Sequence, residues 1–167
     1  SGVYEDLPWI GLLADFVKVL HQRKKPLIGI CFGHQLIANV LGGKAGKAFS
    51  GWEIGVKTAT LNATGNRFIG GDLFKLLYSH QDQVFEPATG AKVLASTPGC
   101  PIAMTTLGEH ILTFQGHPEF PMAYANALYQ LRKDAYPLEC FSNAMASLNE
   151  DTDHLTVARW MIDFMVR

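Results

Sequence analysis

Two short stretches carry residue types able to do covalent chemistry together. One is Gly29-Ile-Cys31-Phe-Gly33, a thiol set between glycines; the other is Gln115-Gly-His117-Pro-Glu119, an imidazole and a carboxylate on either side of a proline. A thiolate attacks acyl carbons readily but needs a base that takes and returns a proton. Pro118 disfavours helical geometry at His117 and fixes its own φ, so the segment is extended and His117 and Glu119 face the same way. A carboxylate on one imidazole nitrogen would set the tautomer and leave the other nitrogen for Cys31, which is the logic of a catalytic triad.

The elements that must position the thiol can be read around it. Leu27, Ile28 and Ile30, bounded by Pro26, form a short apolar run suited to a strand covered on both faces of a parallel sheet. Leu36, Ile37, Val40 and Leu41 then recur at helical spacing, and Gly42-Gly43 ends the helix. Gly-x-Cys-x-Gly is the cysteine analogue of the nucleophile elbow. A strand that becomes a helix without a linker crowds its own backbone, so both glycines are expected to relieve that crowding. The thiol would project at a helix N-terminus, where the partial positive charge favours a thiolate and free N–H groups can receive an oxyanion.

Other motifs carry less. His80 with Asp82 could be paired with Cys31 as an alternative dyad, but nothing fixes His80 as Pro118 fixes the His117 segment. His34 is one helical turn past Cys31 and points away from it, and no second ligand pair accompanies it, so no metal site is expected. Gly42-Gly43-Lys44 lacks the spacing and preceding strand of a phosphate loop.

The chain of 167 residues is 48% hydrophobic and 17% charged, which describes one globular domain with a sizeable core. No apolar run approaches the roughly 18 residues that span a bilayer, and no signal peptide opens the chain, so the expectation is a cytoplasmic protein without membrane contact. Three cysteines, Cys31, Cys100 and Cys140, suggest free thiols in a reducing compartment. A formal charge of −1 without clustered Lys and Arg, Arg23-Lys-Lys25 apart, argues against a nucleic-acid partner.

In chain order, Asp6 is expected to cap a helix with Pro8 in its first turn and Ile10, Leu13, Phe16, Val17 and Leu20 as its apolar stripe. No strand precedes that helix, although a doubly wound fold would have strands there, so the chain is expected to be N-terminally incomplete. Lys44 to Ser50 reads as a connection, Glu53 to Thr60 as a strand, Asn62 to Asn66 as a turn, and Asp72 to Leu77 as a short helix capped by Asp72. Tyr78 to Gln83 reads as a polar loop. Ala91 to Ala95, Ile102 to Thr106 and Ile111 to Phe114 read as strands, the last two joined as a hairpin through Gly108-Glu109. Phe120 to Ala135, Leu138 to Leu148 and Asp153 to Val166 read as helices, the last with Asp151 to Asp153 as its cap region.

The elbow Gly29-Ile-Cys-Phe-Gly-His-Gln35 and Gly116-His-Pro-Glu119 together resemble the two signature motifs of the class I (triad) glutamine amidotransferases, in the same order and at a similar separation. Tyr78-Ser-His-Gln-Asp-Gln-Val84 and Gly51-Trp-Glu-Ile-Gly55 resemble further family segments, closest to stand-alone members akin to the amidotransferase part of GMP synthetase. The resemblance implies an α/β, doubly wound, mostly parallel sheet with flanking helices. It implies Cys31, His117 and Glu119 as the triad acting on glutamine or a γ-glutamyl compound, and the N–H of Phe32 as an oxyanion donor. It also implies Gln35, Ser79, His80, Gln81 and Asp82 as substrate contacts, with no cofactor. The second oxyanion donor would come from an N-terminal loop of which Ser1-Gly2 would be the remains. A γ-glutamyl peptidase would use the same triad. A synthetase partner or self-association would fit a protein that supplies ammonia, whereas a non-catalytic binding module of this fold would most often have lost a triad residue.

Overall fold

The computed structural model describes residues 2–166. Leu27–Ile30 forms strand β1 and, after Cys31 alone, Phe32–Val40 forms helix α2. β1 pairs in parallel with β8 (Ile111–Phe114), in register from Leu27–Ile111 to Ile30–Phe114. Parallel strands finish at the same end of a sheet, so this one pair brings Cys31 and the His117 segment together although they lie far apart in the chain.

From β8 the main sheet continues through β7 (Met104–Leu107), β6 (Lys92–Ser96), β3 (Glu53–Leu61) and β4 (Leu73–His80), in the order β1-β8-β7-β6-β3-β4. Parallel pairing is found at the elbow strand; the other pairs among the described residues are antiparallel. The short reversals along this part of the chain explain the sense, since parallel neighbours require a long crossover. The predicted β7–β8 hairpin forms, with Gly108 at φ 58° in its turn. A separate two-stranded sheet pairs β2 (Lys44–Lys47) with β5 (Asp82–Glu86).

Helices cover both faces of the main sheet, as an α/β fold requires. On one face α1 (Pro8–Gln22) contributes Ile10 and Val17, and α2 contributes Leu36 and Ile37, against Leu107 and Ile111. On the other, Phe68 and Ile69 of α3 (Ala63–Ile69) and Val157 and Phe164 of α6 (His154–Met165) meet Phe74, Leu76, Leu112 and Phe114. The alternation of Ile111, Leu112 and Phe114 between the two clusters is the period-two signature of a strand. Helices α4 (Met122–Leu131) and α5 (Leu138–Ser147) close a third cluster over Ile54, Val56 and Leu77. Tyr129 of α4, fully buried, donates its hydroxyl to the Tyr78 carbonyl at 2.5 Å and accepts from the Gly55 N–H at 3.0 Å, so α4 is pinned to β3 and β4.

Several local expectations give way to tertiary pairing. Asp72 to Leu77 is not a helix. Leu73–His80 is strand β4, paired residue for residue with Glu53 to Thr60, and Phe74, Leu76 and Tyr78 alternate into the core. Asp72 caps nothing and accepts instead from the Asn66 side chain at 2.7 Å. Asn62 begins a helix and not a turn, its side chain accepting from the N–H groups of Thr64 and Gly65 at 2.9 Å each. The supposed loop from Tyr78 to Gln83 is the end of β4 and the start of β5 with Gln81 between them, and the connection from Lys44 to Ser50 contains β2. Leu7, not Asp6, holds the cap position of α1, without a side-chain bond. Asp153 stands at the N-cap of α6, yet its carboxylate accepts from the Lys75 N–H at 2.7 Å. β1 lies at the edge of the sheet and only Gly29 of it is fully buried, so the two-sided cover expected from its apolar run is not present among the described residues. Along α1 only Ile10 and Val17 of the predicted stripe are fully buried, and Phe16 is 56% exposed.

Candidate functional site

Cys31 has φ 47° and ψ −99°, a backbone conformation that side chains other than glycine's rarely adopt. Such strain persists only where the surroundings over-determine it, and it clusters at functional sites. Here the Cys31 N–H is held by the Phe114 carbonyl at 2.8 Å, and its carbonyl accepts from the Gln35 N–H at 3.0 Å, so β8 grips one side of the turn and α2 the other. The two glycines do not share the work equally. A Cβ on Gly29 would lie 2.7 Å from the Ile37 side chain and 2.9 Å from the Gly33 backbone, whereas a Cβ on Gly33 would meet nothing within 4 Å. Close passage of the strand under the helix therefore depends on Gly29. Phe32 opens α2, so its N–H is one of those without an intrahelical acceptor.

His117 is locked from three directions. Its N–H donates to the Leu77 carbonyl at 2.7 Å, its ring stacks on Phe120 with centroids 3.9 Å apart, and Nδ1 lies 2.7 Å from Glu119 Oε1. His117 is extended, bridged to Leu77, but the extended path predicted through Pro118 does not continue: Pro118 and Glu119 form a turn, and that turn brings the carboxylate back to the imidazole. Burial works against the imidazolium, but the Cys31 and Glu119 side chains outweigh it and raise the pKa from 6.5 to about 9. The link to Glu119 is a fully formed bond. The link to Cys31 is looser, since the buried Nε2 has no partner at regular hydrogen-bond geometry.

Gln115, fully buried, was not singled out from the sequence. Its amide nitrogen lies 3.5 Å from Cys31 Sγ, and its Oε1 accepts from Gln35 Nε2 at 3.1 Å. Gln35 Nε2 also donates to the Asp82 carbonyl at 2.7 Å.

A cavity of about 340 Å³ opens beside the thiol. Cys31, Phe32, Gln35, Ser79, His80, Gln81 and Asp82 all line it, so the segment after Tyr78 and the elbow share one cavity. His117 and Glu119 are not part of its lining. Lys47, Trp52 and Arg132 also line it and were missed, because β2, the approach to β3 and the end of α4 converge only in the folded chain. Gly2 lines it too, with its N–H turned to the Glu5 carboxylate at 2.5 Å; Ser1 lies outside the described residues. His80 does not use the Asp82 carboxylate: Nδ1 lies 2.9 Å from the Asp82 carbonyl, and burial lowers the pKa of the imidazole to about 3. That leaves His80 a neutral group and a poor rival to His117. His34 is a core residue. Its Nε2 donates to the Ile102 carbonyl at 3.0 Å and its Nδ1 pairs with the Thr113 hydroxyl at 2.7 Å, while burial lowers its pKa to about 4. Among the described residues, no group of three or more His, Cys, Asp or Glu side chains could hold a metal ion.

A cysteine at a strained strand-to-helix turn, on a sheet with helices on both faces, gives this chain an α/β fold with the backbone geometry of a nucleophile elbow. The sequence profile described as "Glutamine amidotransferase class-I" matches residues 4–129. The chain belongs to that family. Gamma-glutamyl peptidase 3 of Arabidopsis thaliana is 36% identical over 124 residues, covering 70% of this chain and 50% of the plant protein. Gamma-glutamyl peptidase 2 of the same plant is 37% identical over 116 residues, covering 67% of this chain and 47% of that protein. The crystal structure of a Thermotoga maritima glutamine amidotransferase superposes with a TM-score of 0.78 at 20% identity, over 100% of this chain and 74% of that one. The chain spans about half the length of the plant relatives it matches. No helix among the described residues is long and apolar enough to cross a membrane.

Proposed function

We propose that this protein hydrolyses the γ-amide bond of glutamine or a γ-glutamyl compound through a γ-glutamyl thioester on Cys31. The observation that carries the reading is Cys31 held in left-handed geometry at the start of α2, next to an imidazole already bonded to Glu119. In the first half-reaction the Cys31 thiolate attacks the γ-carbonyl carbon, the N–H of Phe32 receives the oxyanion, and His117 gives its proton to the departing ammonia or amine. In the second, His117 takes a proton from water, the hydroxide attacks the thioester, and glutamate and the thiolate are released. Glu119 keeps the imidazole in position throughout. Gln35, Ser79, His80, Gln81 and Asp82 form the wall against which the glutamyl group would lie.

A γ-glutamyl peptidase is the second reading, favoured by the plant relatives bearing that name and by a cavity also lined by Lys47, Trp52 and Arg132. The free cysteines suit the reducing cytoplasm as its place of work. A synthetase that consumes the ammonia would appear as a co-purifying partner that stimulates turnover.

The test is to assay the intact protein against glutamine, γ-glutamyl amides and γ-glutamyl dipeptides. Cys31→Ala should lower turnover at least about a thousandfold while leaving the melting temperature close to that of the parent. A limiting amount of a glutamine-like chloroketone should label Cys31 before Cys100 and Cys140. Retained turnover, or equal labelling of the three thiols, would overturn the assignment. The preferred substrate separates the two readings.

A further inference from the structure

The buried glutamines beside the nucleophile form a chain whose direction is dictated from one end. A backbone carbonyl can only accept, so the 2.7 Å contact between Gln35 and the Asp82 carbonyl must be made by the amide nitrogen of Gln35. The same nitrogen lies 3.1 Å from the Gln115 side chain, which must therefore present its oxygen there. The Gln115 nitrogen is then the atom that faces Cys31 Sγ, at 3.5 Å. Reversing Gln35 would set two oxygens against each other, and reversing Gln115 would set two amide nitrogens face to face. The orientation of both amides is thus settled by connectivity. Gln115 is 0% exposed and Gln35 3%, so exchange of these bonds with solvent is suppressed.

We propose that the Gln115 carboxamide is a dedicated hydrogen-bond donor to the Cys31 sulfur, with Gln35 as the positioning residue that holds it in the donating orientation against the Asp82 carbonyl. The proposal rests on the thiolate chemistry above. An N–H aimed at sulfur stabilises the thiolate more than the thiol, because bonds to a charged acceptor are the stronger ones. It also fixes where the sulfur sits, so the nucleophile is aimed by two side chains, Gln115 and His117, delivered by the same short segment after β8. Asp82 opens β5 and lines the cavity, and its carbonyl is shared by Gln35 and His80, so the wall proposed to contact substrate is tied through two amides to the nucleophile.

The experiment is the pH dependence of chloroketone alkylation at Cys31 in the intact protein, in the parent, in Gln115→Met and in Gln35→Met. Met keeps the length of the side chain and removes the donor. The expected result is a midpoint moved upward by about one to two pH units in Gln115→Met, the worth of one hydrogen bond to a charged group. Gln35→Met, which frees Gln115 to turn, should give a smaller shift in the same direction. If Gln115→Met does not fold, Gln35→Met carries the test alone. A lowered melting temperature with the parental midpoint would show a packing role only and overturn the proposal. Should the parent itself label Cys31 no faster than Cys100 and Cys140, the thiolate reading fails, and this proposal with it.

Discussion

His117 has its charge set by two neighbouring side chains. Burial alone would favour its neutral form, and it is the Cys31 and Glu119 side chains that lift its pKa to about 9. At neutral pH the ring is therefore an imidazolium, the form that the proposed first half-reaction requires. Removing the thiol should lower this value: the His117 resonances followed by NMR in Cys31→Ala should titrate below the parental midpoint, and those in Glu119→Gln likewise. A parental midpoint near 6.5 would contradict the coupling. Because the folded pKa is raised, the stabilisation that His117 gives is complete below about 6.5 and is lost as pH rises through about 9. Burial drives the Cys100 thiol up to about 12, which keeps it protonated at neutral pH.

The strand–turn–helix unit depends on a close approach that only one of its glycines provides. Gly29→Ala would push a methyl into the Gly33 backbone and the Ile37 side chain, and it should cost about 1–3 kcal/mol, as overpacking in a well-packed core typically does. Gly33→Ala adds its methyl to open space within α2, where alanine is the better helix former, and should be neutral or stabilising by up to about 1 kcal/mol. Melting temperatures of the two variants give the comparison, and equal losses would refute the division of labour. The motif Gly-x-Cys-x-Gly presents the two positions as equivalent. The approach of the Ile37 side chain to one of them makes them different.

Over the whole molecule, buried neutral histidines set the acid limit. His34 and His80 have pKa values lowered by burial to about 4 and about 3, while an unfolded histidine titrates near 6.5. The unfolded chain thus takes up protons first as pH falls, and stability from these two groups declines from about 6.5 down towards 4 and 3. His117 is already protonated in the folded state over that interval and does not offset the loss. Melting temperature should fall steadily below about pH 6.5, and replacing His34 by Gln should flatten part of that slope even where it lowers the plateau. An unchanged slope would mean that His34 is not neutral in the fold.

The residues of the proposed triad, the elbow and the hairpin that delivers His117 were legible in the sequence because each rests on local stereochemistry. Proline at 118 keeps the preceding His117 out of helical geometry, glycine at 29 admits a close helix, and glycine at 108 admits a positive φ. The free cysteines and the helices after Phe120 follow from composition and period in the same way. What the tertiary structure alone decided is what depends on partners far away in the chain. Leu73–His80 is a strand because β3 pairs along its whole length, against a helical pattern of its own. Lys47, Trp52 and Arg132 meet at one cavity because three separate elements end there. Gln115 became visible beside the sulfur only once parallel pairing of β1 with β8 set the two reactive stretches side by side, since hydrogen bonds between residues 84 apart in sequence leave no periodic trace in it.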